Sequence, residues 1–549
     1  MIDAFVVALY FVTIVWVGLT RGTRDKTLEG YALGSRSIPW WAIVASILAA
    51  EISCATFLGA PGEGFAKRNF TYAQLLVGTI LARALVALIF IRRFYQYNVI
   101  SIYEFLELRF GRLTRGLGSL VFLATRALAS GTRLYVAAIF LVIGIELWTG
   151  HKPTQAEELW IYAGTILFIL IATAIYTTLG GIKAVVWTDV IQASILILSL
   201  ACTIGILLWN IPGGMNGALT SLQAPDDLTL FTLGIDPSLG WLGNLKSILA
   251  SEYTIWSALL GSTFITLATH GTDQDMVQRM LTAKNAHQSR WAVVLSGFAA
   301  VPVLFSFLSI GILLYVYYHF MPDPNLPEKN PNVFPYFILT QMPGGLRGLL
   351  IAALIATAMG SLSTALNALA TSFARDFYIP YISPQASERE KLRSTRWATV
   401  GFAALLLLIG VGTAWVVVRD PEARILPIVI GAFGYTYGSL LGVFLVAVLT
   451  RRRGSDRGNL IAMACGFIVV ALLTHLPSDL LHLIGSDPKA FAHIMFQEPS
   501  WWSYKLNALD SLPKIAFTWR VMFGTITTFL VALAFATPKE KIRSLLTNS

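Results

Sequence analysis

The stretch ILAAEISCATFLGAPGEG, Ile47–Gly64, decides how this chain folds. It lies in an apolar run, Trp40–Ala60, long enough to cross a bilayer's ~30 Å hydrocarbon core, which takes about 20 helical residues. That run carries an acid, Glu51, at its middle, then small residues, and Gly59, Pro61, Gly62 and Gly64 follow. A span this rich in Gly and Pro is a poor uninterrupted helix. Irregular backbone at membrane depth persists only where protein buries it or where it lines a cavity. Discontinuous helices of this kind hold ions on freed carbonyls and solutes at half-helix ends. A flexed packing helix is the plainer alternative.

The rest of the chain repeats the pattern of apolar runs. Of 549 residues, 56% are hydrophobic and 13% charged, against roughly a quarter charged in soluble proteins, which excludes a soluble enzyme. The net charge of +10 sits in short loops between apolar runs rather than on one face or arm, so no nucleic-acid partner is implied. Cys54, Cys202 and Cys465 lie inside apolar runs, with no spacing that suggests a disulfide or a metal site.

About thirteen spans are expected: 4–19, 40–60, 72–94, 117–147, 159–179, 185–209, 253–270, 292–317, 346–372, 398–418, 427–450, 460–476 and 521–535. Arg21, Arg24, Lys26 and Arg36 follow the first run, which has no basic leader or cleavage site; it reads as a retained span with its N-terminus outside and the C-terminus inside. Arg92, Arg93, Arg109, Arg112 and Arg115, then Arg279, Lys284 and Arg290, then Arg389–Arg396, Arg451–Arg457 and Lys539–Arg543 fall in inner loops on that count, which is the expected bias. The longest polar stretches, 212–249, 322–343 and 478–515, are outer loops. The chain reads as one integral domain: an extra span and loop (1–38), a core (39–455), and two extra spans with a tail (456–549). The bilayer is its environment, and no obligate protein partner is evident.

Three further features bear on chemistry. The seventh span, ending STFITLATHGTDQ, is also interrupted and begins five spans after the second, as an inverted five-plus-five repeat would give. In the ninth, Ile351–Phe373, residues Thr357, Ser361, Thr364, Asn367 and Thr371 recur at three- or four-residue steps and share one helix face. Hard cations take several oxygen ligands, neutral ones included, although small polar residues also serve helix packing. Charges within the bilayer are costly and commonly functional: besides Glu51 there are Arg83, Arg126 and Arg133. Arg133 is placed to meet a solute carboxylate or to pair with Glu51, and Arg126 to snorkel toward the inner surface. His270, alone at a helix end, reads as structural.

Several long strings then resemble the sodium:solute symporter family, which includes sodium/glucose, iodide, monocarboxylate and sialic acid carriers. They are GGIKAVVWTDVIQ (Gly180–Gln192), GTDQDMVQRMLTAKN (Gly271–Asn285) and Phe334–Tyr378, with ALGSRSIPWWA and YEFLELRFG before them. The resemblance implies an all-α integral membrane protein with a LeuT-type five-plus-five inverted repeat, spans two to six and seven to eleven. It implies no enzyme activity and no cofactor, with sodium as the coupling ion, in the plasma membrane (the inner membrane of a bacterium).

By motif position the main sodium site would fall on Ala49, Ile52, Thr357, Gly360 and Ser361. Family members commonly carry two adjacent hydroxyl residues there, whereas this chain has Gly360 and then Ser361; water or Thr357 would have to replace the missing ligand. A second site would fall on Asp189, Ser363 and Thr364. Sugar-transporting members have an Asn and a Tyr where this chain has Thr266 and Thr269, which disfavours a hexose while leaving Thr266 at a substrate-binding position. The sialic acid carriers' set of hydroxyl, aromatic, Gln and Arg residues is resembled by Ser53, Thr56, Phe70, Gln74 and Arg133, and Glu51 sits where proline carriers have an Asp. The implied activity is sodium-coupled import of a small organic anion or zwitterion by alternating access. A neutral-sugar symporter, or a proton-coupled or uncoupled transporter or receptor on the same scaffold, is the alternative.

Overall fold

A computed structural model describes residues 1–22, 26–419, 432–474, 476, 515–539 and 541. Expectations that fall on Arg24, the start of the 427–450 span, most of 478–515 and Arg543 lie outside the described residues. Among the described residues every named element is helical, and extended pairing is confined to two isolated bridges, Ile38 with Ala283 and Arg453 with Ala536. Among the described residues, eight helices are long and apolar enough to cross a membrane, or nine with one bent pair counted as a span; Phe433–Leu449 and Phe517–Leu533 are shorter apolar helices. Many large apolar side chains face outward, Phe5, Trp160, Leu198 and Leu408 among them, as lipid contact allows.

Six helices carry the argument: α1 (Ile2–Gly22), α2 (Trp40–Glu51), α3 (Cys54–Lys67), α4 (Gln155–Asn210), α5 (Ala286–Phe320) and α6 (Leu346–Phe373). The bent pair is α2 and α3, at 69°. The break falls at Ile52 (φ −81, ψ 95) and Ser53 (φ −90, ψ 168), both extended, upstream of the Gly and Pro residues that suggested it. Pro61, Gly62 and Gly64 serve packing instead. A Cβ on Gly62 would meet the backbone of Pro331 at 3.0 Å, and one on Gly311 of α5 would strike the backbone of Pro61 and Phe65. Small residues on facing helices thus let α3 and α5 approach backbone to backbone.

A straight 56-residue helix would run about 84 Å, far beyond one membrane crossing. The α4 chain is instead broken at Gly181 (φ 58, ψ −155), between the expected spans 159–179 and 185–209. Only glycine adopts that backbone freely. At its start, Thr154 and Glu157 form a reciprocal capping box.

The chain divides into two compact units. One comprises Met1–Leu76, Ser130–Thr232 and Gln274–Ala414; the other comprises Val77–Ala129, Leu233–Asp273 and Trp415–Ser549. In the first, α6 packs on α4, α1 lies against both, and α5 packs on α2, α3 and α4. In the second, a Cβ on Gly78 would strike Ala258 O, and Thr79 shares hydroxyl hydrogen bonds with Ser262 (3.1 Å) and Thr266 (3.3 Å).

Candidate ion-coupling site

The site grows from the α2–α3 break. Ile52 N–H still bonds Leu48 O at 3.2 Å, but beyond it the chain leaves the helix. The carbonyls of the last turn, Ala49 among them, therefore lack the N–H partners a continued helix would bring. Ser53 begins α3 buried, with no capping hydrogen bond from its side chain.

In the same unit α6 supplies the hydroxyls. Ser361 Oγ donates to Thr357 O (3.0 Å) and Ala358 O (3.1 Å), Ser363 Oγ to Gly360 O (3.1 Å), and Thr364 Oγ1 to Gly360 O (3.1 Å) and Ser361 O (3.1 Å). Each hydroxyl spends its proton on its own helix, which leaves oxygen lone pairs for a cation. Thr357 Oγ1 donates to Leu354 O (2.7 Å) and lies 3.3 Å from Cys54 Sγ.

Gly360 marks where three elements converge. A Cβ there would lie 2.7 Å from Gln192 Oε1, 3.4 Å from Ala49 O and 3.7 Å from Asp189 Oδ1. Asp189 is fully buried; its Oδ2 accepts from Ser46 Oγ at 2.5 Å and faces Arg279 Nε at 3.8 Å. Arg279 Nη2 also reaches Asp275 Oδ1 at 3.5 Å. Asp189 Oδ1 and Gln192 Oε1 are buried with no hydrogen-bond donor. This oxygen-rich, mostly neutral set with one carboxylate suits a hard monovalent cation.

Beside it, Cys54, Ser130, Arg133, Leu134, Ala358, Ser361 and Leu362 line a cavity of about 10 Å³, room for a water-sized body.

The first unit thus gathers Ala49, Asp189, Gly360, Ser361, Ser363 and Thr364 around one stretch of α6, with Arg133 on the adjoining cavity. Ile52 is at the break, and Glu51 and Thr56, both half-buried, flank it. Phe70 and Gln74 are set by the short turn Thr71–Gln74. Phe70 packs on Phe305 (5.3 Å between centroids), its N–H bonds Thr229 O at 2.8 Å, and buried Gln74 accepts from Thr232 N at 3.5 Å while its Nε2 lacks a partner. Thr266 belongs to the second unit. There, too, Arg126 does not snorkel: it is buried and paired with Asp273, whose Oδ2 also accepts from Tyr437 Oη at 2.5 Å. His270 bonds Thr269 Oγ1 through Nδ1 at 3.0 Å. Sequence reasoning missed Ser46, Gln192, Arg279 and Tyr10. Gln192 was findable, three residues after Asp189 and hence on its helix face.

The sequence profile of the sodium:solute symporter family matches residues 31–466. The chain belongs to the sodium:solute symporter family. It is 28% identical over 456 residues to the sodium/sialic acid symporter NanT of Aliivibrio fischeri, covering 81% of this chain and 83% of that protein. It is 26% identical over 477 residues to the sodium/sialic acid symporter SiaT of Proteus mirabilis, covering 86% and 89%. The solved structure of a Na⁺-coupled sialic acid symporter, in a substrate-bound outward-open state, superposes with a TM-score of 0.76 over 97% of both chains at 22% identity. The fold is the LeuT-type one, in a multi-pass membrane protein. Membership of the symporter family makes the chain a transporter rather than an enzyme, and sodium-coupled symport of a small solute is its activity.

Proposed function

We propose that this symporter imports a small carboxylate-bearing solute of the sialic acid type, with sodium held between the end of α2 and the hydroxyl face of α6. One observation carries the reading: Arg133 and Ser361 line the same cavity, so a cation for the solute's carboxylate adjoins the ion's hydroxyl ligand. A guanidinium grips a carboxylate with two parallel hydrogen bonds. Ala49, Ile52, Thr357, Gly360 and Ser361 form the main sodium position, and Asp189, Ser363 and Thr364 the second. Ser53, Thr56, Phe70 and Gln74 supply hydroxyls, a ring and an unpartnered amide N–H for the rest of the solute, and Glu51 flanks them.

Sodium couples because it bridges the broken α2 to α6 and binds one conformation better than the other. The cavity as it stands takes a water or an ion, so solute entry requires its lining to part. Thermal stabilisation of the purified protein by a panel of sialic acids, monocarboxylates, amino acids and sugars, each with and without sodium, tests this. Stabilisation by a sialic acid only when sodium is present is expected. Stabilisation by neutral sugars alone would overturn the solute assignment.

A further inference from the structure

Gly360 leaves α6 one side-chain oxygen short, and the structure shows what has moved into the gap. Gln192 of α4, 2% exposed, places Oε1 where it would press on any Cβ at position 360. That oxygen receives no hydrogen bond, nor does Asp189 Oδ1 beside it. Two buried acceptors without donors, converging with Ala49 O on one point, are costly unless a cation or a donor fills the space. The other end of the amide is tied down. Gln192 Nε2 donates to Tyr10 Oη at 3.4 Å, and Tyr10 Oη donates to Met359 Sδ at 3.5 Å.

We propose that the side-chain oxygen of Gln192 is a sodium ligand, standing in for the hydroxyl that Gly360 lacks, and that Tyr10 on α1 is the positioning residue that aims it. The proposal rests on reading the Asp189–Ser361 region as the sodium site. It gives α1, outside the inverted repeat, a part in coupling, because the phenol hydroxyl selects which end of the amide faces Gly360. The rival arrangement turns the amide over, with its N–H toward Asp189 as a structural hydrogen bond and no ligand oxygen.

The experiment is a sodium titration of the purified full-length protein at constant ionic strength, with choline as the replacing cation, read as thermal stabilisation and repeated as solute uptake. Gln192→Ala should raise the half-saturating sodium concentration about tenfold, the scale of one lost contact to a charge. Adding Gly360→Ser to that variant should recover most of the loss, since the serine then has room for its Cβ and supplies the oxygen. Gln192→Met keeps the length and bulk of the side chain but removes its oxygen, so it should weaken sodium binding about as Gln192→Ala does, and an unchanged sodium response would mean that the oxygen is no ligand. Tyr10→Phe should raise the half-saturating concentration by a smaller factor, about threefold, with the melting temperature in choline nearly unchanged.

A Gln192→Ala protein that matches the parent in sodium response, while Asp189→Asn and Ser361→Ala lose theirs, overturns the Gln192 assignment and leaves the site intact. If the parent protein itself shows no sodium-specific stabilisation, the sodium-site reading fails first. If Gln192→Ala does not yield folded protein, the similarly sized Gln192→Met takes its place, with the same two outcomes.

Discussion

Replacing Gly181 with alanine tests the break that divides α4. At φ 58 and ψ −155 the backbone sits in a region that glycine alone enters freely, and a side chain there costs about 1–3 kcal/mol. The new Cβ would also lie 2.6 Å from Tyr31 O and 2.8 Å from Tyr31 Cδ2. Tyr31 cannot readily yield, because its hydroxyl donates to Thr177 O at 3.1 Å and meets Thr399 Oγ1 at 3.2 Å. Overpacking of that kind costs about 1–3 kcal/mol more, so a total near 2–6 kcal/mol is expected.

Gly164 on the same helix is the matched control. It faces outward with no atom within 4 Å of its would-be Cβ, and alanine there should gain up to about 1 kcal/mol from helix propensity. The assay is the temperature at which half the detergent-solubilised protein remains monodisperse by size-exclusion chromatography. Gly181→Ala should lower it by many degrees and Gly164→Ala should hold or raise it. Equal behaviour of the two variants would refute the account of the break.

Three further outcomes follow from the structure. Asp273→Asn removes a carboxylate partner from buried Arg126 and should cost about 3–5 kcal/mol, against about 1 kcal/mol for Tyr437→Phe, which deletes only a hydroxyl donor; comparative thermal melts read both, and equal losses would contradict the pairing. Arg133→Lys keeps the charge but loses the planar fork, so solute affinity should fall about tenfold with sodium-dependent stabilisation retained; unchanged solute affinity by isothermal titration would remove Arg133 from the solute's contacts. Outside the membrane, hydrogen bonds from the Thr154 backbone and hydroxyl hold Glu157 below the usual glutamate range. Its folded pKa being depressed, the cap's contribution is present above the unfolded pKa and is lost as pH falls through the folded one. Amide-exchange protection at Glu157 and Glu158, corrected for intrinsic rates, should therefore hold to lower pH than in Thr154→Ala, and identical profiles would exclude the cap.

The helical class and the division of α4 were legible because both rest on local composition. Apolar runs of bilayer length fix the helices, and a chain that turns between residues 179 and 185 must do so at Gly180 or Gly181. The ninth-span face was legible for the same reason: Ser361 and Thr364 share a side by spacing alone. Sequence reasoning expected an interrupted span but did not locate the break at Ile52–Ser53, because neither residue is a helix breaker. Gly62 and Gly64, which looked responsible, are taken up by tertiary packing against Pro331 and Leu308. Tyr10 and Ser46 were missed since their importance lies in contacts across 140 or more residues of sequence, which no periodicity reports, whereas Gln192 had its spacing from Asp189 to mark it. Gly360 looked like a loss in the sequence; only the neighbouring amide shows what occupies the space.

The cluster around Asp189 also imposes an order on biosynthesis. Its cationic neighbour Arg279 is encoded roughly 90 residues later and Gly360 later still, so at ordinary elongation rates of ~5–20 residues per second the acid waits on the order of 5–20 s for the first of them. During that wait a carboxylate destined for full burial must stay at the water interface, shelter in the insertion machinery, or remain protonated. The first unit, assembled from three separated stretches ending at Ala414, cannot close before most of the chain has been made. A nascent chain stalled between residues 190 and 279 would therefore hold Ser46 as a hydrogen-bond donor to this acid but not yet its cationic neighbour.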